Sequence, residues 1–352
     1  MPEVQAVFFE LLRAGLWDKT PQLEGVLSQT QWEEVYALSL EQSVIGMVYA
    51  GITKLPASQQ PLMSLQAKLA AHIERIERIN SHIAAVQQEL IVLFESRGLS
   101  PMVLKGMAMN RYYAQPEWRI QGDIDFFFPR SEEVQQAIHC LAEKRIEVIK
   151  ESDGSWCFFY AGVAVEIHPH AFDLHVGRKE QAIWQALTLH TDEDGLRRLP
   201  AEAELFMLNL HILKHCCGTG IGLKQLCDMA AAAKYLSDEV DGESLKNLYH
   251  KAYIVRWSHL LYATLVQYLG LPKDTLPGCY APTKRTRSLI RLILRDGRSR
   301  YAREQRLTRK KNVNHENKAV TATTVLRHLP FSLFWAPYHV LIYIYTLVKG
   351  NI

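Results

Sequence analysis

Paired cysteines are missing from this 352-residue chain: the six it has, at 140, 157, 216, 217, 227 and 279, are irregularly spaced and include no Cys-x-x-Cys. That scatter, at this length, argues against a disulfide framework and suits a reducing cytoplasm. Also lacking is a basic stretch followed by an apolar core after Met1-Pro2-Glu3, so no secretory leader is expected. Charge of one sign is scarce overall, with a net +3, yet the balance is uneven. Between Lys284 and Lys311 twelve Lys/Arg face only Asp296 and Glu304, a local +10, which leaves about −7 elsewhere. Basic character therefore belongs to one segment. A hydrophobic content of 48% and a charged content of 22% are ordinary for a soluble globular protein, with chain enough for two or three domains.

Four regions follow from the patterning. Residues 1–99 read as an N-terminal helical domain. Val4, Val7, Phe8, Leu11 and Leu12 have helical spacing. Thr30 and Glu33 form a capping-box pattern, and a short helix spans Ser43 to Leu55. A long helix then begins at Pro61, with Leu65, Leu69, Ile73, Ile76, Ile79, Ile83, Val86 and Leu90 as its apolar stripe, and stops at Arg97-Gly98.

Residues 100–198 read as a mixed α/β core. Short apolar runs at 101–104 and 124–128 suggest strands, and Ser131 caps a helix to Lys144. Ile146–Lys150 is a further strand, Asp153-Gly154 marks a turn, and 156–160 pairs antiparallel with 163–168. Residues 199–282 return to helices, opened by Pro200 and divided at Gly218-Thr219-Gly220. Residues 283–352 hold the basic segment and the uncharged run Pro330–Val348. That run is just long enough to span a bilayer, but its central Pro337 and His339 also suit a surface-lying helix or one packed on the protein body.

The chemistry is concentrated near residue 120. Asp123 and Asp125, two apart in an apolar strand, would point to one face, and two carboxylates held that close need a neutralising cation. A hard divalent ion does this with oxygen ligands and keeps positions for substrate phosphates. Upstream, a strand, the turn Lys105-Gly106 and a helix start make an anion site, with Arg119 as a second cation of bidentate geometry. On 163–168, alternation sets Ala164, Glu166 and His168 on one face, opposite Val163, Val165 and Ile167. His211 and His215 share a helix face; with Cys216, Cys217 and Cys227 nearby they bring a zinc site to mind, although their spacing lacks the usual ligand pairs.

This order of motifs resembles the nucleotidyltransferase superfamily typified by DNA polymerase beta: a glycine turn after a strand, Asp-x-Asp on the next, and a third carboxylate later. Leu104-Lys105-Gly106, Arg119, Gly122-Asp123-Ile124-Asp125 and Glu166-Ile167-His168 look more closely like a bacterial family of uncharacterised nucleotidyltransferases, over about Ser100 to Tyr235. Lys105-Gly106 stands where most of the superfamily has Gly-Ser or Gly-Gly.

The resemblance implies an α+β fold, a small mixed sheet flanked by helical domains. It implies Asp123, Asp125 and Glu166 as catalytic metal ligands for two Mg2+ (or Mn2+) ions. Lys105, Gly106, Arg119, His168, Lys224 and Asp228 would be the substrate-binding residues. The expected reaction moves a nucleoside monophosphate from an NTP such as ATP to a hydroxyl acceptor, releasing pyrophosphate. The alternatives are an RNA-modifying or toxin-like transferase gripping RNA through residues 284–311, and an inactive nucleotide-binding scaffold. The basic segment beside an apolar tail would also suit an anionic membrane surface, giving a cytoplasmic protein peripheral to the membrane.

Overall fold

A computed structural model describes residues 3–348 apart from 152–153, 173, 175–176, 186, 188, 192–196, 219, 277–282 and 308–313. The fold is α+β. Helices α1 (Glu3–Leu16), α2 (Gln29–Glu41), α3 (Ile45–Ile52) and α4 (Met63–Glu95) come first. The capping box of α2 is formed by Ser28 and Gln31 rather than by Thr30 and Glu33, because Ser28 has the extended backbone a cap needs. On α4 the expected stripe breaks at Ile79, which is exposed, and Asn80 takes the buried position. Its amide donates to the carbonyls of Glu117 and Arg119, at 2.7 and 2.8 Å, so a polar side chain there anchors the segment entering the site.

Next come β1 (Met102–Val103), β2 (Ile124–Phe127), α5 (Ser131–Glu143), β3 (Ile149–Lys150), β4 (Trp156–Tyr160) and β5 (Val163–His168). The five strands form one sheet in the order β1-β2-β5-β4-β3, antiparallel except for the parallel pair β2–β5. Ser131 is not the cap of α5; the Glu133 carboxylate accepts the Arg130 N–H instead. Between β4 and β5 the tight turn is Ala161-Gly162, both with positive φ, as a two-residue hairpin requires. Asp153 lies outside the described residues, and Gly154 sits between β3 and β4.

The sheet's two faces differ, as period-two alternation dictates. One face carries Ile124, Phe126, Val163, Val165 and Ile167 into a core with α4 and α5. Phe94 of α4 meets Phe126 and Phe128 edge-on at 5.5 and 5.3 Å. The opposite face carries Asp125, Glu166 and His168, and α7 (Ala201–Cys217, after α6 Gly177–Gln185 and the short ribbon β6 His190–Thr191 and β7 Arg197–Arg198) helps enclose it.

Then follow α8 (Leu223–Tyr235), α9 (Gly242–Lys251), α10 (Val255–Thr264), a π turn at Leu265–Leu269, α11 (Lys284–Leu307), α12 (Asn314–Trp335) and α13 (Pro337–Val348). A single apolar core joins α1–α3 to α7–α11: Phe9 lies 5.4 Å from Tyr268, and Trp17 donates its indole N–H to the Leu269 carbonyl. The Pro330–Val348 run is divided at Ala336 between α12 and α13. Ala336, His339 and Val340 are buried, and His339 Nε2 donates to the Ala252 carbonyl at 2.8 Å, so this part of the run packs on the body. Among the described residues no helix is long and apolar enough to cross a membrane.

Candidate active site

A cleft of about 400 Å³ lies between the polar face of the sheet and helices α7 and α8. It is lined by all nine residues singled out from the sequence: Lys105, Gly106, Arg119, Asp123, Asp125, Glu166, His168, Lys224 and Asp228. The parallel pairing of β2 with β5 sets Asp125 directly beside Glu166 and Phe127 beside His168. Residues 41 apart in the chain therefore share one patch of sheet.

Asp125 is buried at the centre of this patch. His168 Nε2–H donates to its Oδ1 at 2.6 Å, and the Lys105 ammonium is 3.2 Å from the same oxygen. Burial alone would raise the Asp125 carboxyl; the charges of Lys105 and of His168 and His211, together with the His168 hydrogen bond, outweigh it and hold the group well below the usual range. Glu166 moves the other way. Burial pushes its carboxyl up, and the nearby charges of Asp125 and Asp123 add to this against the pull of His168 and Lys105. Asp123 precedes β2 rather than belonging to it, and is exposed at the cleft.

The donor atoms of Asp125, Glu166 and His168 all lie within 4.8 Å of one another. Two carboxylates and an imidazole at that separation fit a divalent ion, and Asp123 supplies a third carboxylate along the same wall. His168, expected on the substrate side, belongs to this donor group itself. Among the described residues no other group of three donors forms, so the histidine–cysteine zinc arrangement is not made. Cys216, Cys217 and Cys227 sit instead in the apolar core, where burial raises their thiols, that of Cys217 to about 11.

A second charged cluster borders the cleft. Arg119, 2% exposed, donates from Nε and Nη2 to the two Asp228 oxygens at 2.7 and 2.8 Å. Its Nη1 donates to Gln121 Oε1 and, at 3.1 Å, to the Gly106 carbonyl. The Tyr113 hydroxyl donates to Asp228 at 2.6 Å. Thus the bidentate partner of Arg119 is Asp228, and together they hold the Gly106 turn. That glycine has φ +56°, and a Cβ there would sit 3.0 Å from the Asp123 carbonyl, so the tight turn favours glycine on two counts. Beyond it, Gly106–Tyr112 is a seven-residue 3-10 helix, not the α-helix expected, which weakens the dipole argument for phosphate.

On α7, His211, Lys214 and His215 share the cleft-facing side, with the two imidazoles edge-on at 4.4 Å. Lys224, on α8, donates to the Ile120 carbonyl at 3.3 Å. Lys214 and Gln225 were not singled out from the sequence. Lys214 was within reach of the 3.6-residue period, since it lies three after His211 on one helix face.

With this geometry in hand, the family comparison is decisive: the model of a family described as uncharacterised nucleotidyltransferase matches residues 28–270. The chain belongs to that family. The match begins at Ser28, the cap of α2, and ends at Gly270, just past the π turn, wider than the stretch that carries the sequence motifs. No curated protein and no solved structure matches the chain. Membership supports nucleotidyl transfer as the general activity, and so a nucleotide as substrate.

Proposed function

We propose that the protein transfers a nucleoside monophosphate from an NTP to a hydroxyl acceptor, assisted by divalent cations, Mg2+ or Mn2+. The reading is supported by one observation: ligand atoms of Asp125, Glu166 and His168 lie within 4.8 Å of one another on the wall of the cleft. Asp125 and Glu166, with His168 and Asp123 beside them, would hold the cation. When bound, it would lower the pKa of the acceptor hydroxyl and neutralise phosphate charge.

Lys105 and Lys224 bind the phosphates, since both ammonium groups line the cleft near the carboxylates. His211, Lys214 and His215 add positive charge from the α7 wall. The Arg119–Asp228 pair keeps the Gly106 turn in position, so Lys105 and the Asp123 backbone hold a fixed spacing. The acceptor hydroxyl releases its proton to solvent as its oxygen bonds to the α-phosphorus, the bond from that phosphorus to the bridging oxygen breaks, and pyrophosphate leaves. Positioning and charge neutralisation supply most of the rate. Mass spectrometry after incubating labelled NTP with cell extract tests this: a divalent-dependent gain of one nucleotide on a protein, RNA or small molecule supports it, and its absence with every NTP counts against it.

A second reading, in which the acceptor is RNA, is favoured by α11. Arg287, Arg291 and Arg295 recur every four residues and are all exposed, so they form one basic face. Salt-sensitive RNA binding that disappears when these three arginines become glutamine supports it; RNA binding that persists excludes this face.

A further inference from the structure

Beside the cleft lies a second, smaller chamber of about 210 Å³, which shares Gly122, Lys224 and Gln225 with it. Its character differs. Beyond the shared Lys224 and Gln225, the cleft adds lysines, histidines and carboxylates, whereas the chamber adds the amides of Gln42 and Gln121 together with Ser43 and Glu41. Amide oxygens on such a wall can accept from a neutral group carrying N–H donors, and Lys224 lines both spaces.

One atom makes the demand specific. Gln42 is fully buried at the end of α2, and its Oε1 has no hydrogen-bond partner. Its Nε2 donates to the Leu294 carbonyl at 2.9 Å. Flipping the amide would set two oxygens against each other, so that bond fixes Oε1 in place as an acceptor. An unsatisfied buried acceptor is destabilising, and a ligand N–H removes the penalty.

Two chamber glycines frame the amide. A Cβ at Gly297 would come within 2.5 Å of Oε1, and one at Gly222 would sit at 3.8 Å. Next to Gln42, Ser43 has φ +57°, a left-handed conformation unfavourable to a non-glycine residue.

We infer that this chamber takes the nucleobase of the NTP, with Gln42 Oε1 accepting an N–H from the base edge. The inference rests on the transferase reading above, because it assigns the phosphates to the adjoining cleft. Adenine, cytosine, guanine and uracil all present an N–H, so Gln42 reports that a base is present rather than which one. The geometry leaves the acceptor to the open side of the cleft.

The test is titration calorimetry in Mg2+ with ATP, GTP, CTP and UTP in turn, and with inorganic triphosphate as the base-less probe, on the full chain and on Gln42→Met. Loss of the acceptor should weaken the best-bound NTP about tenfold and leave triphosphate unchanged. Should Gln42→Met not fold, Gly222→Val serves: φ −112° at that position accepts any side chain, and the valine would intrude on the chamber wall. Unchanged NTP affinity in a folded variant overturns the assignment, as does an equal loss for NTP and triphosphate. If the wild type binds neither probe, the transferase reading fails and takes this one with it; retained triphosphate binding with unaltered NTP affinity removes the chamber alone.

Discussion

Two buried carboxylates face the same cleft, and their partners are of opposite kinds. Asp228 is held by a guanidinium that cannot be deprotonated, in two-pronged geometry, with a tyrosine hydroxyl added. Asp125 is held by a lysine at 3.2 Å and a histidine at 2.6 Å, and a second carboxylate stands beside it on the next strand. The first cluster is closed: nearly every donor and acceptor is used inside the protein. The second gathers acceptors faster than fixed donors, which is what a site for a cation requires. Similar burial therefore gives a closed ion pair in one place and a candidate cation site in the other.

The largest effect that can break this contrast is on activity. Asp123→Asn combined with Asp125→Asn should lower divalent-dependent pyrophosphate release about 10³-fold, the scale for loss of a main electrostatic group, while far-UV circular dichroism stays native. Arg119→Ala should show the reverse emphasis. It strands Asp228 in the interior and should cost about 3–5 kcal/mol in urea unfolding.

Asp228 also sharpens the comparison through pH. Burial would raise its carboxyl, but Arg119, Lys224 and Tyr113 hold it below the usual range. A depressed folded value means that its stabilisation is present above the ordinary aspartate range and is lost as pH falls through the folded value. The wild-type unfolding midpoint should therefore fall on acidification below pH about 4 more steeply than that of Asp228→Asn. Glu166 has the opposite sign: its raised carboxyl favours the folded state below the ordinary glutamate range and loses that contribution as pH rises. Glu166→Gln should accordingly raise the urea midpoint at neutral pH in chelator while abolishing turnover. The smallest effect belongs to the turn between the clusters, where Gly106→Ala, at φ +56°, should cost about 1–2 kcal/mol.

Local features of this site were readable in the chain. Alternation set Glu166 and His168 on one face, and that face is the polar one. The glycine turn, the strands and the helices enclosing the cleft were readable too. What escaped was pairing over distance. Nothing in the composition of Arg119 and Asp228, 109 residues apart, says that they choose each other rather than a phosphate. The buried Asn80 was hidden for a similar reason, since a polar residue in an apolar stripe gains its place only through carbonyls from another segment. The turn signal at Gly154 falls in the connection between β3 and β4, whereas the β4–β5 hairpin turns at Ala161-Gly162, which carries no such local signal and is set by the pairing that leaves only two residues between the strands.

Mn2+ binding followed by electron paramagnetic resonance, on the wild type and on Asp125→Asn, tests the central claim without knowing the acceptor. A saturable site in the wild type that is lost in the variant is the result expected. Equal binding by both proteins would contradict the claim that Asp125 and its neighbours on β5 form a cation site.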